Sequence, residues 1–130
     1  MVGHARIASE TKLAVEHILG QQTQFQAVDF VNSDNSDQHG IHVSKVLDGL
    51  DEGHGVLILV DLMGATPWNM VNHIVEGKQH AHLLGGFNVP AVVRAMSLRQ
   101  TCTDLNQLAQ SSVEAGKHYM RLKIGGQKSG

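Results

Sequence analysis

The stretch from Val56 to Asn69, Val56-Leu57-Ile58-Leu59-Val60-Asp61-Leu62-Met63-Gly64-Ala65-Thr66-Pro67-Trp68-Asn69, constrains the fold more than any other. It opens with five consecutive apolar residues, enough for a strand buried on both faces and too few to span a membrane. Asp61 ends the run where a parallel strand would leave its sheet. Gly64 permits a tight turn, Thr66 suits a helix N-cap, and Pro67 suits a first helical turn. Met70, Val71, Ile74 and Val75 then recur at helical spacing, and Gly77 closes the segment. Strand, polar loop and helix in that order form the unit that gathers ligands at the carboxyl edge of an open α/β sheet.

The rest of the chain repeats this unit. Met1-Val2-Gly3 reads as the end of a first strand. A helix follows, capped by Ser9, carrying Ala14, Val15, Ile18 and Leu19, and closed by Gly20. Phe25 to Val31 reads as a second strand, and Asn32 to Gln38 as a polar turn. The next helix presents Val43, Val46, Leu47 and Leu50, with Gly40 weakening its first turn and Gly53 to Gly55 ending it. His80 to Leu84 reads as a fourth strand. Gly85-Gly86-Phe87-Asn88-Val89-Pro90 again joins a strand end to a helix start, followed by a short helix over Ala91 to Met96. Thr103 is read as the cap of a longer helix ended by Gly116, and His118 to Ile124 as a last strand. The expectation is a three-layer α/β fold, a mostly parallel open sheet with helices on both faces. It forms a single domain over 1–124 with a flexible tail over 125–130.

At 130 residues the chain can bury roughly two-thirds of its unfolded surface in one core. Its net charge of -2, with signs interspersed, speaks against nucleic acid as a partner. The single cysteine, Cys102, allows no internal disulfide and reads as a small buried hydrophobe. No signal peptide or long apolar run is present, which predicts a cytoplasmic protein. His39-x-x-His42 and His80-x-His82 have metal-like spacing among nine histidines. They bring no nearby cysteines or convergent carboxylates, so no metal or other cofactor is expected.

Three strand ends carry polar groups: His4, Asp61 and Asn88. A parallel sheet puts them on one edge. A carboxylate beside an imidazole fixes its tautomer, frees the other ring nitrogen as a nucleophile, and stabilises the positive ring formed on reaction. Backbone N–H groups at the Thr66-Pro67 helix start attract an anion, and the Thr66 hydroxyl adds a donor. These parts suit phosphoryl transfer, which rests on positioning and charge stabilisation. No Walker lysine loop or dinucleotide fingerprint is present, so a nucleotide- or flavin-binding domain is the weaker reading. Taken one at a time, His4 could be a solvated side chain, Asp61 a turn residue and Thr66 a helix cap.

At these residues the sequence resembles the IIA component of the mannose-type sugar phosphotransferase system. Gly3-His4-Ala5-Arg6-Ile7-Ala8 is similar to the family's His-Gly-x-x-Ala segment. Val60 to Asn69 is similar to its Asp-Leu-x-Gly-Gly-Ser/Thr-Pro-x-Asn signature, and Gly86-Phe87-Asn88-Val89-Pro90 to its Gly-x-Asn-x-Pro motif. The resemblance implies a phosphotransferase with a phosphohistidine intermediate. His4 would accept a phosphoryl group from HPr and pass it to a IIB component that serves a membrane IIC/IID permease. Asp61 would orient His4; Thr66, Met63 and Gly64 would bind the phosphate; Asn88 and Pro90 would form the rim. It also implies a homodimer that exchanges the last, antiparallel strand. The same fold serves the phosphoryl-carrying subunit of dihydroxyacetone kinase systems, or a regulatory module without turnover.

Two positions depart from the family pattern. Ala65 stands where a second glycine is usual, so its φ is expected below zero. The first strand is truncated to Met1-Val2-Gly3, where the family has a full apolar strand; each buried side chain so lost is worth roughly 1.5–3 kcal/mol. A start codon placed too far downstream, or a shortened chain, is the expectation.

Overall fold

The computed structural model describes residues 1–31, 36–126 and 128. Its elements alternate as the apolar periodicities require: β1 (Val2–His4), α1 (Ile7–Leu19), β2 (Val28–Phe30), α2 (Ser36–Leu50), β3 (Val56–Val60), α3 (Thr66–Val75), β4 (Ala81–Gly85), α4 (Val89–Leu98) and α5 (Leu105–His118). The four strands form one sheet in the order β2-β1-β3-β4, and every pairing is parallel. β1 therefore sits inside the sheet, beside β3, although the two are far apart in sequence.

Helices cover both faces. Leu59 and Leu84 pack with Ala8, Val15, Val92 and Met96 on the α1 and α4 side. Val2, Phe30, Ile58 and Val60 pack with Val43, Leu47 and Val71 on the α2 and α3 side. Alternation along β3 sends its residues to opposite layers, which is why an unbroken apolar run was needed there. Among the described residues no helix is long and apolar enough to cross a membrane.

Several boundaries differ from the sequence expectation. β2 spans Val28–Phe30 rather than Phe25 to Val31, because β1 offers it a ladder only from Val2 to His4. The polar turn expected over Asn32 to Gln38 lies partly outside the described residues, and α2 begins at Ser36. β4 is shifted by one residue, and α4 runs longer than Ala91 to Met96. α5 continues through Gly116 to His118. A Cβ on Gly116 would lie 3.1 Å from Asn88 Oδ1 and 3.2 Å from Ala91 Cβ, so this glycine serves close helix packing instead of ending a helix. The strand expected over His118 to Ile124 is absent: His118 closes α5, and residues 121–124 carry no regular structure. A strand needs a neighbouring backbone, and the isolated chain supplies none there. The tail expected over 125–130 lies partly outside the described residues.

Candidate active site

The carboxyl ends of β1 and β3 meet at His4 and Asp61. The His4 backbone N–H donates to Asp61 Oδ2 at 2.9 Å, and His4 Nδ1 lies 2.8 Å from the same oxygen. In return the Asp61 N–H donates to the Val2 carbonyl at 3.2 Å. Main chain and side chain thus clamp the two strand ends together. The Asp61 side chain is 9% exposed and that of His4 49%, so the carboxylate is sheltered while the imidazole opens to solvent. A carboxylate at Nδ1 selects the Nδ1–H tautomer and leaves a lone pair on Nε2. That pairing brings together the two residues the strand ends had suggested.

Gly3 makes the clamp possible. A Cβ there would lie 2.4 Å from Ile7 Cγ2, a clash that forces a shift, and 3.2 Å from Asp61 Cγ, tight enough to press on the carboxylate. Asp61 Oδ1 is buried with no hydrogen-bond partner among the described residues. After His4 the chain turns through Ala5 at φ 49°, whose N–H donates to Phe30 O at 3.0 Å, and enters α1.

The start of α1 is held by a residue that the sequence reading missed. Ser9 is not the N-cap; Arg6 is, and Ser9 lies in the first turn. Asp29 of β2 accepts from the Ser9 N–H at 3.0 Å and from its hydroxyl at 2.5 Å. The available signal was a carboxylate interrupting the apolar residues of that strand.

The loop after Asp61 leads into α3. Gly64 adopts φ +88°, the left-handed conformation the turn requires. Ala65 has φ -89°, within the range its methyl group tolerates, and is itself the N-cap. Thr66 is therefore the first helical residue rather than the cap, and its exposed hydroxyl has no hydrogen-bond partner among the described residues. Met63 and Gly64 are exposed as well. A Cβ on Gly85, at the end of β4, would come within 3.0 Å of Met63 Cβ and the Trp68 ring, which shows how tightly the loop lies on that strand.

Asn88 is taken up by structure. Its Oδ1 caps α4 by accepting from Ala91 N–H at 3.0 Å, and its Nδ2 donates to Gly116 O at 2.9 Å, tying α5 to α4. Pro90 lies in the first turn of α4. The histidine pairs considered for metal are spent differently: His39 stacks on Phe30 with ring centroids 4.3 Å apart, and His82 hydrogen-bonds Asn106. Among the described residues no three histidine, cysteine or acidic side chains converge as a metal site would need.

Residues 1–113 match the profile of the PTS system fructose IIA component, EIIA-man. The chain belongs to this EIIA family. It is 31% identical over 118 residues to the mannose-specific EIIAB component of Escherichia coli K12, a match covering 91% of this chain but only 36% of that protein. The chain thus spans about a third of the length of the EIIAB relatives. It is 25% identical to the fructose-specific EIIA component of Bacillus subtilis, with 96% and 90% of the two chains covered. A mannose/sorbose-specific IIA subunit from Enterococcus faecalis shares the EIIA fold with a TM-score of 0.85 at 19% identity, over 98% of this chain and 95% of that one. As an EIIA component, the chain is part of the phosphotransferase system of sugar transport.

Proposed function

We propose that this EIIA chain carries a phosphoryl group on Nε2 of His4, received from HPr and passed to a IIB component that serves a IIC/IID permease. The observation that carries this reading is the 2.8 Å contact of His4 Nδ1, on a half-exposed imidazole, with the sheltered Asp61 carboxylate. In the forward step the Nε2 lone pair forms the new N–P bond as the bond from phosphorus to the donor group on HPr breaks, and that group leaves with HPr. The ring becomes cationic, and Asp61 balances that charge through the Nδ1 proton. Thr66 binds the phosphate through its free hydroxyl at the start of α3, and Met63 and Gly64 line it from the exposed loop that leads into that helix. Asn88 and Pro90 bound the site from the start of α4. The carrier works in the cytoplasm.

Two features of assembly belong to the same reading. Met120, Leu122 and Ile124 are 75%, 85% and 52% exposed, and they alternate with Arg121 and Lys123. That period suits a strand with one covered face, and we place it in a homodimer that exchanges this segment. β1 pairs with β3 only at Val2–Val60, so Leu57 and Leu59 are paired with β4 on one side and with no strand on the β1 side. We propose that the β1–β3 ladder is short enough to be extended: apolar residues placed before Met1 should raise the melting temperature, and an equal temperature would refute this.

The test is phosphotransfer. The protein is incubated with phosphoenolpyruvate, enzyme I and HPr, and intact mass is read for a single acid-labile phosphoryl group. His4→Ala should take no label, and Asp61→Asn should label roughly tenfold or more slowly, a loss of about 1.4 kcal/mol or more in the transition state. Label that persists in His4→Ala would move the acceptor elsewhere. No label on the folded parent would favour a regulatory module, and label that moves on to a dihydroxyacetone kinase rather than to a IIB component would reassign the pathway.

A further inference from the structure

Arg6 follows His4 by two residues, and its main chain is fixed. Its carbonyl accepts from the Glu10 N–H at 2.9 Å and from the Ser9 hydroxyl at 3.3 Å, while the Ala5 N–H before it is held by Phe30 O at 3.0 Å. Two steps along the chain put the Arg6 Cα within about 7.6 Å of the His4 Cα. That is shorter than the combined reach of an arginine and a histidine side chain. The residue is exposed, and its guanidinium makes no hydrogen bond or ion pair among the described residues, not even with Glu10 one turn along α1.

A cation is out of place at that position. Arg6 is the N-cap of α1 and gives the helix no side-chain cap bond. The positive end of the helix dipole disfavours a positive charge there. An arginine that breaks a local rule without a compensating contact marks a functional position. The neighbouring chemistry supplies the missing anion. A phosphoryl group on His4 brings about two negative charges beside the Asp61 carboxylate. Across the three strand-end segments 3–8, 60–69 and 86–90, Arg6 is the only lysine or arginine. A guanidinium presents paired N–H donors that match phosphoryl oxygens, and the dipole that opposes it in the unphosphorylated chain then acts with it on the anion.

On the carrier reading of His4, we infer that Arg6 binds the phosphoryl group once it is on Nε2, its guanidinium donating to phosphoryl oxygens while the N–P bond stays intact. Arg6 thereby favours the phosphorylated chain over phosphorylated HPr.

The test is the partition of the phosphoryl group. Phosphorylated HPr, freed of enzyme I and phosphoenolpyruvate, is mixed with the full chain, and intact mass gives the ratio of the two phosphorylated proteins at equilibrium. Arg6→Gln should shift that ratio roughly tenfold toward HPr, and Arg6→Lys, which keeps the charge and loses the fork, should recover part of the shift. Separated from HPr, the labelled Arg6→Gln chain should show a moved phosphorus NMR resonance. Melts of the unphosphorylated proteins exclude a structural role: Arg6→Gln should melt no lower than the parent, since it removes a cation from the helix start. An unshifted ratio, an unmoved resonance, no recovery by Arg6→Lys, or a lower melting temperature for Arg6→Gln would each overturn the inference and leave His4 as the carrier. A folded parent that takes no label from HPr would overturn the carrier reading itself, and the role of Arg6 with it.

Discussion

Gly3 and Ala5 flank the imidazole on which the site is built, and each stands in a different relation to its backbone. At Gly3 a Cβ would run into Ile7 Cγ2 and press against Asp61 Cγ. Gly3→Ala should lower stability by about 1–3 kcal/mol in urea unfolding and slow labelling of His4, since the added methyl group pushes against the carboxylate that orients the ring. Ala5 is the converse, an alanine at φ 49° where glycine is the easier residue. Ala5→Gly should raise stability by up to about 1 kcal/mol, measured the same way. The meeting of His4 and Asp61 was legible from sequence, because strand ends on one parallel edge converge. The role of Gly3 as a contact of Asp61 was not, since no local pattern records what lies across from a glycine. Ala65 was legible in conditional form: its methyl group demanded a negative φ, and the backbone has one.

At the scale of elements, helices were easy to find and their first residues hard to place. Ser9, Thr66 and Thr103 all read as caps, yet the caps are Arg6, Ala65 and Asp104. Hydroxyl residues near a helix start satisfy the local rule equally well, and tertiary partners decide among them. Asp29 reaches Ser9 from the neighbouring strand, and Asp104 accepts two N–H groups where Thr103 accepts none. Asn88 shows how one side chain can hold two elements. Asn88→Ala removes the α4 cap and the bond to Gly116 O together, and should cost about 1–3 kcal/mol in denaturant unfolding. Amide hydrogen exchange should show the loss concentrated in α4 and α5.

For the whole molecule, the alternation of apolar periods predicted the layered, parallel α/β architecture. It could not reveal that the last segment lacks a partner in the single chain, because an alternating pattern states what a strand wants and not whether a neighbour is present. The sheet also sets a pH dependence. The Met1 amine is buried against Gln26 O at 2.8 Å, and burial lowers its pKa from 8.0 to about 5. Between these values the unfolded chain binds a proton that the folded chain releases, so stability should rise with pH from about 5 to 8 and level off above. The full swing is on the order of 4 kcal/mol. Acetylating the Met1 amine should flatten that rise; an unchanged profile in pH-dependent melts would show that the amine does not set it.

The clamp between His4 and Asp61 joins segments that meet only when the central strands lie side by side. Any molecule whose sheet has come apart there also loses the orienting carboxylate. On the proposed carrier function, the fraction of a preparation that takes up label promptly is therefore a census of correctly assembled molecules. A stability variant can accordingly be ranked by counting phosphorylated chains as denaturant rises, with the reaction itself serving as the gauge of folding.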